Sequence, residues 1–334
     1  MIKMTLQPIF SYKILLKSLF SESNNKERIL LKSGRIAFSY IISNILNKGP
    51  INNIILPNLI CDEMIAVTKK YKIKTLYYNI DNKLDYDMHE IEHLAQKDSN
   101  IIVFVNYFGF KTHHTNTKIF KDNYIIEDNA HVLGDFSKKF SSNYADYSFS
   151  SLRKLIPVLS GSEIYSKHND LKSQKSFRYP DFGEIKYSLR GLKKSRRGTS
   201  NMGHSLYDDD DFNLSFVDFI SKTIIQKYHF LHNDICSRRR SNFKFWENYL
   251  SGKNVNFMKS IDTDSDICPY AFPCYVNSIK DQQKWIKWGL TKNITIISWP
   301  KYHQDTIKHI PNNFLSKILL FPVNHQFDLN KIIS

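Results

Sequence analysis

The feature that most constrains the fold is an alternation of short apolar runs with amphipathic segments between residues 53 and 126. The intervening segments 62–71 and 86–96 have apolar residues at helical spacing and predict helices. The apolar runs predict strands at residues 53–56, 74–80, 101–107 and 124–126. Strands that alternate with helices are typical of a mostly parallel sheet with helices on both faces. The sequence therefore predicts an α/β fold for the large first part of the chain.

The loops after these strands are the candidate site, because ligands of open α/β sheets bind beyond the carboxyl ends of the strands. One such loop contains Asp128 and His131, and the loop after the next apolar run ends at Lys154. A lysine facing a carboxylate is the pair that pyridoxal phosphate (PLP) requires. The lysine forms a Schiff base with the aldehyde, and the carboxylate keeps the pyridine nitrogen protonated. The alternative is that both side chains are solvated surface groups, as most Asp and Lys residues are.

A third candidate lies near the start of a helix predicted over residues 27–46. Ser33, Gly34 and Arg35 occupy this position. Free N–H groups at a helix amino terminus attract phosphate, and small residues allow it to approach closely. An ordinary helix cap would give the same pattern.

Taken over its whole length, the sequence predicts a large domain over residues 1–235 and a small C-terminal α+β domain over residues 236–334. An amphipathic helical arm is expected at residues 1–26. Residues 167–211 are polar and basic and show no periodicity, so they form an irregular segment within the large domain. Long helices are expected within residues 212–250, and short strands with one helix follow to the end of the chain.

Charge and cysteine content restrict the possible partners. The formal net charge is +15, but the lysines are spread along the chain and the densest basic cluster lacks interleaved aromatic residues. We therefore expect no nucleic-acid binding, whereas a small anionic substrate would be attracted by the positive charge of the protein.

The four cysteines lack metal-site spacing, which predicts no metal centre and reduced thiols in a cytoplasmic protein. The apolar runs are too short for membrane insertion.

Several motifs resemble, in the same order, those of the DegT/StrS sugar aminotransferases, which are fold-type I PLP enzymes. These motifs are LLKSGRIAF, IILPNLICDEMI, VNYFGF, IIEDNAHVLG, ADYSFSSLRKLIPVLSG, RRRSNF, FPCYV, ISWP and LFPVNH. The lysine motif SLRK resembles that of a divergent branch of the family. The resemblance extends over residues 27–330.

The resemblance implies a role for each candidate residue. Lys154 corresponds to the Schiff-base lysine, Asp128 to the partner of the pyridine nitrogen, and His131 to a Gln or His that contacts the ring. Ser33, Gly34 and Arg35 correspond to the phosphate site, to which Ser148 or Ser151 would add a hydroxyl. Cys61 stands where the family usually places a stacking aromatic residue, so Tyr107 or Phe108 is expected to supply a ring face instead.

The resemblance also implies an activity and partners. The expected reaction transfers an amino group from an amino acid, often glutamate in this family, to a keto sugar carried on a nucleotide. Surface polysaccharide synthesis, including O-antigen synthesis, would use such a product, and the family works as homodimers. Two alternatives remain open. Some relatives dehydrate sugars, although they replace the lysine by histidine, and a non-catalytic protein of the same fold would explain the altered stacking position.

Overall fold

The computed structural model describes residues 3–21, 28–95, 99–110, 119–134, 143–172, 177–186, 212–262, 266–299 and 314–333. Two sheets organise these residues. No helix in the described ranges is long and apolar enough to cross a membrane. Within the same ranges, no three His, Cys, Asp or Glu side chains converge as they would around a metal ion.

The larger sheet has seven strands in the order β1-β7-β6-β5-β4-β2-β3. The five strands from β2 to β6 are mutually parallel, whereas β7 runs antiparallel to both β6 and β1. The predicted α/β architecture with a mostly parallel sheet is thus confirmed. The strands are β1 (Ile29–Leu31), β2 (Asn53–Pro57), β3 (Lys74–Tyr78), β4 (Ile101–Val105), β5 (Tyr124–Asn129), β6 (Tyr147–Ser150) and β7 (Ser162–Ser166).

Helices cover this sheet, whose inner strands are buried on both faces. Every residue of β4 is buried, as expected for a central parallel strand. Helix α2 packs on β6, where the rings of Phe38 and Phe149 lie 5.7 Å apart. The helices of this part are α1 (Tyr12–Leu19), α2 (Gly34–Leu46), α3 (Asp62–Lys70), α4 (Met88–Leu94) and α5 (Ile119–Asp122).

The predicted helix over residues 27–46 is wrong in its first part. Helix α2 begins at Gly34, with Ser33 as its N-cap, and Ile29–Leu31 forms strand β1. This apolar tripeptide pairs antiparallel with β7, with Ile29 opposite Ile164 and Leu31 opposite Ser162. The backbone N–H and C=O groups of Ile29–Leu31 therefore form hydrogen bonds to β7, where a longer helix would have bonded them within itself.

The smaller sheet is antiparallel, with the strand order β10-β11-β9-β8. Helix α7 packs beside it, and the buried Trp246 donates a hydrogen bond from Nε1 to the carbonyl of Pro322 at 2.9 Å. The predicted division after residue 235 would fall inside α7, and it stays a prediction. The elements of this part are α6 (Phe219–Lys227), α7 (His232–Leu250), β8 (Asn256–Phe257), β9 (Ala271–Tyr275), α8 (Ile279–Thr291), β10 (Ile297–Ser298), β11 (Ile318–Pro322) and α9 (Leu329–Ile333).

The N-terminal segment lies on the C-terminal part of the chain. Met4 is buried and forms a parallel bridge with Ile294. Of the arm predicted over residues 1–26, the structure describes residues 3–21, and within these residues 12–19 are helical. Arg153, next to the candidate lysine, donates a hydrogen bond to Oε1 of Gln7 at 3.0 Å. Most of the predicted irregular segment, residues 187–211, lies outside the described residues.

Candidate active site

Asp128 lies at the carboxyl end of β5, in the middle of the parallel part of the sheet. It pairs with Val105 of β4 and with Phe149 of β6, which brings the ends of three strands to one edge. Its Oδ1 atom accepts a hydrogen bond from the backbone N–H of Ala130 at 2.8 Å. Burial raises the pKa of Asp128 to about 6, although Lys154 and the Ala130 N–H act in the opposite direction. A buried carboxylate with a raised pKa is typical of a functional site.

Lys154 is presented by a short 3-10 turn, Leu152–Lys154, which directly follows β6. The turn is closed by hydrogen bonds from the N–H groups of Leu155 and Ile156 to the carbonyl of Leu152, at 2.9 and 2.8 Å. Leu155 and Ile156 are themselves buried. The turn therefore delivers Lys154 from a packed segment to the same sheet edge as Asp128.

His131 connects the lysine to the loop after β4. Its Nε2 atom lies 3.0 Å from Nζ of Lys154, and its Nδ1 atom accepts from the backbone N–H of Phe108 at 3.5 Å. Burial lowers the pKa of His131 well below its usual value, and the positive charge of Lys154 lowers it further, so the ring is neutral. A neutral imidazole has one donor and one acceptor nitrogen. Nδ1 faces the Phe108 N–H and Nε2 faces the Lys154 amine, so both ring nitrogens have a polar neighbour.

Aromatic rings enclose His131. Tyr270 stacks on it with ring centroids 4.6 Å apart and an interplanar angle of 2°, and Phe108 stacks with centroids 5.4 Å apart. The half-buried Trp299 contacts the imidazole edge-on, with centroids 5.8 Å apart. Sequence reasoning missed Tyr270 and Trp299. Both come from the C-terminal part of the chain. Trp299 lies in the ISWP motif and Tyr270 just before FPCYV, but neither motif was assigned a role at this edge.

An unusual backbone conformation places Phe108 against His131. Phe108 has φ +54°, in the left-handed region that is uncommon for a bulky side chain, and Gly109 has φ +98°. A Cβ atom at Gly109 would lie 2.4 Å from the carbonyl oxygen of Cys268. The N–H of Tyr270 bonds to the carbonyl of Phe108 at 2.7 Å. The loop after β4 and the segment before β9 are therefore closely fitted at the site.

The start of helix α2 lies beside the end of β6. Ser33 Oγ accepts from the N–H of Ile36 at 3.4 Å, and a Cβ atom at Gly34 would be 3.5 Å from the carbonyl oxygen of Ser150. Residue 150 immediately precedes the turn that carries Lys154. The structure thus brings the amino terminus of α2 to the same edge as Lys154 and Asp128. Arg35 lies over the ring of Phe212, with 6.0 Å between its Cζ and the ring centroid.

The two candidate serines lie in different places. Paired residues of parallel strands face the same side, so Asp128 shares a face with Phe149, which contacts α2. Ser148 shares the opposite face with Glu127. Its buried Oγ has no hydrogen-bond partner among the described residues. Ser151 follows the strand, and its carbonyl accepts from the N–H of Lys154 at 3.0 Å. Of the two, Ser151 is the one that the structure brings next to Lys154.

Cys61 and Tyr107 lie at the ends of β2 and β4. Burial raises the pKa of the Cys61 thiol above its usual range, and Lys154 and Asp128 both contribute to its electrostatic environment. The structure therefore brings Cys61 near both groups. Tyr107 is buried and donates from its hydroxyl to the carbonyl of Leu59 at 2.5 Å. Phe108, not Tyr107, is the ring that stacks on His131.

The donor set at this edge fits PLP. Oδ2 of Asp128 accepts no hydrogen bond from the described residues, so it is available to a protonated pyridine nitrogen. The Lys154 amine could supply the nucleophile that the aldehyde requires, and the start of α2 could offer N–H groups to a phosphate. Ser33, Gly34, Arg35 and Ser151 are the residues that could hold this phosphate.

No family model and no curated protein matches the sequence. The structure is nevertheless similar to solved structures along almost its whole length. One of them is Spr1654 from Streptococcus pneumoniae, described as a proposed sugar aminotransferase and solved in its PLP form. Its TM-score is 0.69 at 12% identity, and the match covers 99% of this chain and 96% of that one. The sugar aminotransferase CalS13 from Micromonospora echinospora has a TM-score of 0.65 at 12% identity, covering 99% and 97%.

A DegT DnrJ EryC1 StrS aminotransferase from Brucella abortus has a TM-score of 0.58 at 14% identity, and the match covers 96% of this chain and 87% of that one. At such identities the likeness concerns the fold. The chain has the fold of these sugar aminotransferases, as the resemblance of its motifs implied.

Proposed function

We propose that the protein is a PLP-dependent sugar aminotransferase. The observation that carries this proposal is the meeting of Lys154, His131 and the buried Asp128 at the carboxyl edge of the sheet. The amine and the carboxylate are the two groups that PLP chemistry requires from the protein. The fold neighbours include a structure solved in its PLP form and another in its PMP form, which supports this choice of cofactor.

Each residue has a distinct task in this proposal. PLP, when bound, supplies an aldehyde and an electron-withdrawing ring. Lys154 would hold that aldehyde and, once an amino donor has taken its place, its free amine would accept the proton that leaves the α-carbon of the donor. Asp128 would hold a positive charge at the ring nitrogen. The Nε2 atom of His131 would orient the amine, and the phenyl ring of Phe108 would keep the imidazole in place.

We further propose an amino acid, glutamate, as the amino donor and a nucleotide-linked keto sugar as the acceptor. The net charge of +15 supports an anionic acceptor such as a nucleotide diphosphate. The product would serve surface polysaccharide synthesis, such as that of O-antigen. A cytoplasmic location is consistent with the four cysteines, all of which are free thiols.

We also propose that the protein works as a homodimer. Large apolar side chains are exposed on two neighbouring parts of the surface: Phe20 at the end of α1 is 91% exposed, and Tyr179 and Phe182 are 81% and 78% exposed. Helix α6 connects these parts, because it packs against α1 and its Phe219 ring lies 5.3 Å from Phe177. Such a patch is typical of an interface. A dimeric mass in light scattering that Phe182→Glu converts to a monomer would support this proposal.

The decisive experiment is an absorbance spectrum of the purified protein with PLP, before and after addition of glutamate. We expect a visible band that bleaches with glutamate. Lys154→Ala should lose the band, whereas Lys167→Ala, a change at an exposed lysine, should keep it. A Lys154→Ala protein with an unchanged band would refute the role of this lysine. A wild-type protein that binds no PLP would point to the non-catalytic alternative. A panel of nucleotide keto sugars then identifies the acceptor.

A further inference from the structure

Arg239 is a buried cation in helix α7 that is not explained by an ion pair. Its side chain is fully buried, and it pairs with no carboxylate of the residues that the structure describes. The preceding residue in sequence differs in both respects: Arg238 is largely exposed and pairs with Asp234 at 2.8 Å. Because a buried charge is strongly disfavoured unless it is compensated, the contacts of Arg239 indicate what it does.

The guanidinium of Arg239 bonds to backbone carbonyls in two separate segments. Nη1 donates to the carbonyls of Pro269 and Tyr270, both at 3.2 Å, and Nη2 donates to the carbonyl of Leu155 at 3.4 Å. Leu155 directly follows Lys154, and residues 269 and 270 directly precede strand β9. One planar group thus connects the turn that carries the lysine to the segment that carries Tyr270.

Both connected segments contact His131. The Tyr270 ring stacks on the imidazole, and Lys154 Nζ lies 3.0 Å from Nε2 of the same ring. The contacts therefore form a closed ring. It runs from Arg239 to Tyr270, His131 and Lys154, and it returns to Arg239 through Leu155. A change in any one of these contacts would alter the position of the amine relative to the imidazole.

We propose that Arg239 is a positioning residue, which holds the Lys154 turn and Tyr270 at a fixed separation and thereby sets the orientation of the Lys154 amine against His131. The part of this proposal that concerns catalysis rests on the proposed function. Three acceptors in two directions require a planar fork of donors, which arginine has and lysine lacks. Arg239→Lys should therefore preserve the charge but lose the connection.

The connection can be tested without cofactor by hydrogen–deuterium exchange of the full-length protein. In Arg239→Lys we expect the amides of Leu155, Ile156 and Tyr270 to exchange at least about tenfold faster, since each lies in a connected segment. Amides of β2 and β4 should keep their wild-type rates. Arg238→Lys is the matched control and should change neither set. Unchanged rates in both segments, or equal acceleration across the whole protein, would overturn the proposal.

The effect on the site is tested with the PLP-loaded enzyme. Arg239→Lys should lower kcat more than it raises KM, and it should shift the pH profile of kcat in the same direction as Tyr270→Leu, which removes the stacked ring. If Arg239→Lys does not fold, Tyr270→Leu alone must shift the profile. A wild-type profile in either folded variant would overturn the positioning role. Absence of PLP binding by the wild type would instead refute the proposed function, and the exchange experiment would still decide whether Arg239 connects the two segments.

Discussion

The amine of Lys154 lies 3.0 Å from Nε2 of His131, and the other nitrogen of that ring accepts a hydrogen bond from the backbone of Phe108. The imidazole is therefore held between a fixed donor and the candidate nucleophile. The two contacts fix the orientation of the ring and, through it, the position of the amine relative to the loop after β4.

His131→Leu should weaken PLP binding because it removes the ring nitrogen that contacts the Lys154 amine. A hydrogen bond to a charged group contributes about 1.5–3 kcal/mol, which corresponds to about 10- to 100-fold in affinity. His131→Gln, which retains a polar side chain, should lose less. A spectrophotometric titration with PLP measures both constants, and equal affinities for the two variants would show that the polar contact has no role.

Asp128→Asn should stabilise the cofactor-free protein at high pH. Burial raises the pKa of Asp128 from 3.8 to about 6, so the folded state disfavours the carboxylate. The contribution of this group to stability is present at low pH and is lost as the pH rises through about 6. A difference of about two pKa units corresponds to about 3 kcal/mol at pH 8. Asparagine, which stays neutral, should recover this free energy.

Urea unfolding at pH 8 and pH 4 tests the prediction. The gain in the free energy of unfolding from Asp128→Asn should fall from about 3 kcal/mol at pH 8 to less than about 1 kcal/mol at pH 4, because the native carboxyl is then protonated. The same variant should bind PLP less productively, since it cannot balance the charge on the ring nitrogen. A gain that is independent of pH would indicate a packing effect.

Local patterns in the sequence were sufficient to predict the parallel strands and the edge that carries Asp128 and Lys154. They were insufficient where pairing is decided by distant residues. In the sequence, Ile29–Leu31 has the spacing of a helix start, but in the fold it pairs as a strand with β7. Tyr270 and Trp299 reach His131 from the far end of the chain, so their contact with it depends on the tertiary fold and not on local sequence. The face on which Ser148 lies depends on the register with β5, which the sequence does not specify.

Gly109→Ala should destabilise the protein by about 3 kcal/mol or more, through an unfavourable φ and a steric clash. The backbone at Gly109 has φ +98°, and a Cβ atom would lie 2.4 Å from the carbonyl oxygen of Cys268. Gly252→Ala is the control, because Gly252 also has a positive φ, +76°, but open space around it. It should cost only about 1 kcal/mol. Thermal or urea unfolding of both variants gives the difference, and similar losses would mean that the clash is relieved by a shift of the loop.

Cys61 should be the thiol that reports ligand binding. It is half-buried, whereas Cys236, Cys268 and Cys274 are buried. Burial raises its pKa, so the reactive thiolate is scarce at neutral pH and a maleimide should modify it slowly. Because the thiol lies near Lys154 and Asp128, PLP should slow the modification further. The native wild type should take up one label per chain, and Cys61→Ser should take up none. A rate that PLP leaves unchanged would place the cofactor away from the loop after β2.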